Sequence, residues 1–215
     1  MTQFSFLTQA APPFIKICGL TNAQDALSCA QLGADGVGFI FHPPSPRFVE
    51  PTLVRDFLTP SSLRVGVFVG QGAREILAIM ATARLDLAQL HGDQALSVAR
   101  AIGAERVIRV FWPERYKDAP EAWAAELDLW SAEAAAFLFD AGSGGGGHGR
   151  KVGVPFSSPQ PYLLAGGLQP SDLGQLWPAD DPGLAGFDFN SGVEKSPGVK
   201  DLAAIGRLLG ATKSN

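Results

Sequence analysis

Residues 14–41 read FIKICGLTNAQDALSCAQLGADGVGFIF, and this stretch decides the fold class. Phe14 to Cys18 is a run of strand length, apolar except for Lys16. Thr21, with Gln24 three residues on, has the spacing of a capping box that opens a helix. Gly33 suits the end of that helix. Gly36 to Phe41 is then a second apolar run. A strand, a helix and a strand in such close succession make a βαβ unit, whose strands lie parallel.

The same rhythm continues outward. Further strands are expected at Arg64–Val69, Asp86–Leu90, Arg106–Phe111, Ala136–Asp140, Tyr162–Ala165 and Gly186–Phe189. Helices are expected within Pro51–Leu58, at Ala73–Ala83, Gln94–Ile102 and Glu121–Ser131, in a short piece from Pro170, and at Val199–Leu209. Strict alternation implies an α/β protein with a parallel sheet, and the number of units favours closure into a single (β/α)8 TIM barrel over an open, doubly wound sheet. Gly142 to Gly149 holds six glycines and resembles a linker. The rhythm resumes beyond it, so it reads as a long loop after the sixth strand. The expected organisation is an N-terminal extension over 1–13 and one barrel domain over 14–215.

Composition agrees. Hydrophobic residues make up 46% of the 215 and charged residues only 18%, against a usual ~25%. Strands covered on both faces carry few charges. Twenty-one acidic and 17 basic residues give a net charge of −4, and no basic run occurs. Nucleic acid and anionic membrane surfaces are therefore not expected partners. The two cysteines, Cys18 and Cys29, cannot build a disulfide framework and lack metal-ligand spacing, so no metal is expected. The residues before Phe14 lack the pattern of a signal peptide. The expected location is cytoplasmic, with reduced thiols.

Active sites of such barrels lie at the C-terminal ends of the strands. Cys18 and Asp140 end the first and sixth strands and can carry protons. Lys16 shares a sheet face with Cys18, and its ammonium is expected to lower the thiol pKa and favour the thiolate. A buried Lys16 needs a partner, and barrel closure offers Asp188. Cys29 falls within a helix and reads as packing. Arg47, stiffened among prolines, suits a two-point contact with a carboxylate. Phe41, Phe48 and Trp112 are candidate apolar walls. His91, beside Gln89, reads as a supporting turn residue. Gly166–Gly167 and Ser191–Gly192 end consecutive strands, where backbone N–H groups can approach a phosphate.

In order along the chain, Lys16-Ile-Cys-Gly-Leu-Thr21, Gly33-Ala-Asp-Gly-Val-Gly-Phe-Ile-Phe41, Ser45-Pro-Arg-Phe48 and Gln89-Leu-His-Gly92 resemble motifs of the phosphoribosylanthranilate isomerases. So do Leu164-Ala-Gly-Gly-Leu168, Asp188-Phe-Asn-Ser-Gly-Val-Glu194 and Pro197-Gly-Val-Lys-Asp201. The resemblance implies a cofactor-free isomerase of tryptophan biosynthesis, monomeric or homodimeric, acting on a phosphorylated small molecule. It implies Cys18 as general base, Asp140 as general acid, and Arg47 on the substrate carboxylate. It assigns the phosphate to Gly166, Gly167, Ser191 and Gly192, with Gly147 and Gly149 of the glycine-rich loop. Lys16, Gln89, His91 and Asp188 would support them. One departure stands out: His148 occupies a position where the family has a hydroxyl residue. A related barrel isomerase of histidine biosynthesis would use two aspartates, and Cys18 as base discriminates against it.

Overall fold

Strand β1, Phe14–Ile17, lies between β2, Gly36–Ile40, and β8, Leu184–Phe189, and is parallel to both. That double pairing closes the sheet. The computed structural model describes residue 7 and residues 13–141, 158–177 and 181–212. Within them the barrel runs in sequence order through β3 (Leu63–Phe68), β4 (Leu87–Leu90), β5 (Val107–Phe111), β6 (Ala136–Asp140) and β7 (Tyr162–Ala165). The helices are α1 (Ala23–Leu32), α2 (Pro51–Val54), α3 (Ala73–Ala83), α4 (Leu96–Ile102), α5 (Pro120–Ser131), α6 (Leu173–Leu176) and α7 (Leu202–Thr212). The expected (β/α)8 architecture is the one observed.

Every residue of β1, β4, β5, β6 and β7 is buried, which is why these strands read as continuous rather than alternating runs. Alternate residues still go to different places. Phe14, Val65, Ile108, Leu138 and Leu163 belong to an inner cluster. Ile15, Phe39, Phe111, Phe139 and Phe187 belong to a larger one that includes the helix residues Ile76, Trp123 and Ile205. Leu7, from the expected extension, is buried in the inner cluster beside the strand starts Phe14 and Leu63.

Two local expectations need correction. The cap of α1 is Asn22, not Thr21: Asn22 Oδ1 accepts from Asp25 N at 2.8 Å. Thr21 is drawn away from that task, because its hydroxyl donates to the Gly198 carbonyl at 2.7 Å. Gly33 ends α1 at φ +97°, as its placement suggested. The last helix does not begin at Val199. Val199–Lys200 is strand β10, paired antiparallel with β9, Glu194–Ser196. Asp201 Oδ1 accepts from Ala203 N and Ala204 N, so the helical turns start beyond it. Among the described residues no helix is long and apolar enough to cross a membrane.

Candidate active site

At the C-terminal ends of the strands opens a cavity of about 670 Å³. It is bordered by Cys18, Arg47, Gln89, His91, Asp140, Gly166, Gly167, Asp188 and Ser191. Nine residues singled out from separate points of the sequence therefore meet in one place. Lys16 lies one layer below Cys18 on the same face, and Gly192 adjoins through Ser191. The whole Gly142–Gly149 loop, with Gly147, His148 and Gly149, lies outside the described residues, as does most of 1–13.

Cys18 follows β1, anchored by its N–H donating to the Phe189 carbonyl at 2.8 Å. The neighbouring strand makes room for it. A Cβ at Gly38 would stand 2.7 Å from Cys18 Sγ and 3.2 Å from Lys16 Cε, so only glycine fits there without displacing the thiol. Lys16 Nζ donates to Asp188 Oδ2 at 2.7 Å, and both side chains are inaccessible or nearly so. This is the pair expected across the closing seam, and Lys16 stands beside Asp188 in the register. Burial works against the Lys16 charge, but Asp188 and Cys18 together outweigh it and hold the ammonium protonated.

The thiol does not follow the expectation. Burial pushes the Cys18 pKa up, and this outweighs the downward pull of Lys16. Asp188 also raises it, since the carboxylate that stabilises Lys16 faces the thiolate as a like charge. Sequence showed the ammonium but not the depth of burial.

Asp140 closes β6. His91 Nε2 lies 3.7 Å from Asp140 Oδ2, too long for a hydrogen bond. Burial, with repulsion from Lys16, Arg109 and Arg115, lowers the His91 pKa to about 4, so the ring is neutral at pH 7. Gln89 Nε2 sits 3.3 Å from His91 Nδ1. With the amide as donor, Nδ1 accepts, and Nε2 carries its proton toward Asp140. The His91 ring meets the Trp112 ring edge-on at 5.4 Å, and the Arg115 guanidinium covers Trp112 at 4.0 Å.

The turn after β7 has Gly166 at φ +102° and Gly167 at φ +70°. A side chain at Gly166 would be strained there, and its Cβ would stand 2.8 Å from Asp140 Oδ1. The next turn, Ser191–Val193, is a short 3-10 helix.

Of the three aromatic residues expected as walls, only Trp112 borders the cavity. Phe41 belongs to the outer core and stacks on Phe68 at 5.6 Å. Ile40, Val67, Val69, Leu138 and two prolines, Pro44 and Pro46, provide the apolar lining. Sequence reading missed Asn190, Arg115 and Asp93 on the rim. It also gave no role to Glu194, whose carboxylate accepts a fork of hydrogen bonds from Arg47. The available signal was a Pro-Gly turn between Glu194 and Lys200, which marks a hairpin at the site. Among the described residues no group of three or more His, Cys, Asp or Glu side chains could hold a metal ion.

The family model described as N-(5'phosphoribosyl)anthranilate (PRA) isomerase matches residues 15–211. An N-(5'-phosphoribosyl)anthranilate isomerase from Desulfovibrio desulfuricans is 47% identical over 199 residues, covering 91% of this chain and 93% of the relative. The phosphoribosyl anthranilate isomerase of Thermotoga maritima superposes with a TM-score of 0.79 at 31% identity, covering 94% of this chain and 98% of the other. A phosphoribosyl anthranilate isomerase solved with reduced 1-(o-carboxyphenylamino)-1-deoxyribulose 5-phosphate superposes with a TM-score of 0.76 at 31% identity, with the same coverage. With the match spanning the barrel from β1 into α7, the chain belongs to the N-(5'-phosphoribosyl)anthranilate isomerase family.

Proposed function

We propose that this isomerase of tryptophan biosynthesis performs an Amadori rearrangement with Cys18 as general base and Asp140 as general acid. The reaction turns N-(5'-phosphoribosyl)anthranilate into 1-(2-carboxyphenylamino)-1-deoxyribulose 5-phosphate. The observation that carries this reading is that Cys18 and Asp140 border one cavity, whose rim also holds an arginine and two glycine turns.

Asp140 gives a proton to the furanose ring oxygen. The C1–O bond breaks as the anilino nitrogen lone pair forms an iminium. Cys18, as thiolate, then removes the C2 proton, and the electron pair left behind neutralises the iminium to an enolamine. Loss of the C2 hydroxyl proton and protonation at C1 give the aminoketone. The iminium brings positive charge next to a thiol whose burial opposes ionisation, and that charge favours the thiolate when it is needed. His91, neutral at pH 7 and with Nε2 3.7 Å from Asp140 Oδ2, stands beside the acid and is uncharged during the reaction.

Arg47 takes the anthranilate carboxylate, and Gly166, Gly167, Ser191 and Gly192 take the phosphate with backbone N–H groups. Holding both ends fixes the reacting carbons between acid and base.

The test follows the fluorescence decay of freshly made phosphoribosylanthranilate on adding enzyme. Wild type is expected to accelerate the decay, and Cys18→Ala and Asp140→Asn each to lower kcat by at least about a hundredfold. Near-normal turnover in either variant removes that residue from its role.

A further inference from the structure

Arg47 is held by more than its proline-rich loop. Its Nε donates to both Glu194 oxygens, at 3.0 and 3.1 Å, and Nη2 donates to Oε2 at 2.7 Å. This fork uses the side edge of the guanidinium. The end edge, with Nη1, can still serve a second acceptor, and Arg47 borders the cavity. Glu194 is itself held from behind. Lys200 Nζ donates to Oε1 at 2.8 Å, and Gly198 N donates to the same oxygen at 3.2 Å. Lys200 also reaches Asn190 Oδ1 at 3.1 Å. The Glu194 side chain is 3% exposed and that of Lys200 fully buried.

The charge count matters. Arg47 and Lys200 share one carboxylate, so the cluster carries one excess positive charge. A single carboxylate arriving from the cavity neutralises it. Burial raises the Glu194 pKa, but the hydrogen bonds from Arg47 and Lys200 and their charges win and lower it, so the Glu194 carboxylate stays ionised at neutral pH. An unrestrained arginine would lose rotamer freedom on binding, and the fork removes that cost beforehand.

We infer that Glu194 is a positioning residue for carboxylate recognition. It fixes the Arg47 guanidinium so that the end edge meets the aromatic carboxylate of the substrate. Lys200 keeps Glu194 from repelling that carboxylate. The inference rests on the assignment of Arg47 to the substrate carboxylate.

The test compares kcat/KM for phosphoribosylanthranilate and for phosphoribosylaniline, the analogue without the carboxylate. Their ratio reports carboxylate recognition, and a general loss of stability leaves it unmoved. Glu194→Gln is expected to lower the ratio about tenfold, mainly through KM of the carboxylated substrate. Glu194→Asp keeps the charge beside Lys200 but withdraws it from Arg47, and is expected to lower the ratio less; it decides the matter alone if Glu194→Gln does not fold. A wild-type enzyme without preference, or one whose preference survives Arg47→Ala, overturns the role of Arg47 and that of Glu194 with it. A preference abolished by Arg47→Ala but left at the wild-type ratio by the Glu194 variants overturns the positioning role alone.

Discussion

His91 carries a pH dependence that belongs to one residue. Its pKa falls from the usual 6.5 to about 4 on folding, chiefly through burial. Between these values the unfolded chain binds the proton and the folded chain does not. Stability from this group is therefore complete above about pH 6.5 and is lost as the pH falls toward 4. From 6.5 down to about pH 5 the loss should reach about 2 kcal/mol, at 1.4 kcal/mol per unit. Denaturant unfolding at stepped pH would show it, and His91→Asn, which cannot titrate, should have the flatter curve. Parallel curves for the two proteins would mean that the imidazole titrates alike folded and unfolded. Sequence identified His91 as a supporting residue but could not supply this shift. The shift comes chiefly from burial, with Lys16, Arg109 and Arg115, on β1, β5 and the turn after β5, adding to it. Cys18 teaches the same lesson from the other side: the neighbouring ammonium was legible two residues away, while the burial that outweighs it was not.

Among the elements, those with a long repeat were read best. The strand at Ala136–Asp140 and the helix at Ala73–Ala83 match their expected bounds. Each is long enough for its pattern of burial to show in the residues. The β9–β10 hairpin was missed because strands of three and two residues have no period, which leaves the Pro197-Gly198 turn as its one local mark. Its consequence for the site is large, since it delivers Glu194 and Lys200 behind Arg47. The α1 cap shows how tertiary structure chooses between two adequate local signals. Thr21 and Asn22 are adjacent capping residues, and the bond from Thr21 to Gly198 leaves Asn22 to cap. Asn22→Ala should thus cost about 1 kcal/mol, or about 2–4 °C in Tm for a chain of this size. The fold and the turnover should survive. An unchanged Tm in a thermal melt would assign the cap energy elsewhere, with Asp25 as the acid of the first turn.

At the scale of the molecule, closure of the barrel and construction of the site are the same event. β1 meets β8 with Lys16 beside Asp188, and their side chains form a buried pair at 2.7 Å inside the barrel. Alternation of the two face sets predicted that meeting from sequence, because a buried ammonium needs a carboxylate and only closure supplies one. The pairing spans 172 residues, so the chain must complete all its strands before either charge is compensated. Asp188 is more dependent than its partner. Its Oδ1 is buried and has no hydrogen-bond partner among the described residues, so Lys16 is its main compensation. Lys16→Met would leave that carboxylate buried beside an apolar chain, and should cost about 3–5 kcal/mol. Replacing both, Lys16→Met with Asp188→Leu, removes the orphaned charge as well as the pair, and should recover more than half of that loss. Urea midpoints of wild type, both single variants and the double variant close the cycle. If Lys16→Met alone is no less stable than the double variant, the seam is held by the backbone ladder and apolar packing. The ion pair would then serve the charge balance around Cys18 rather than closure.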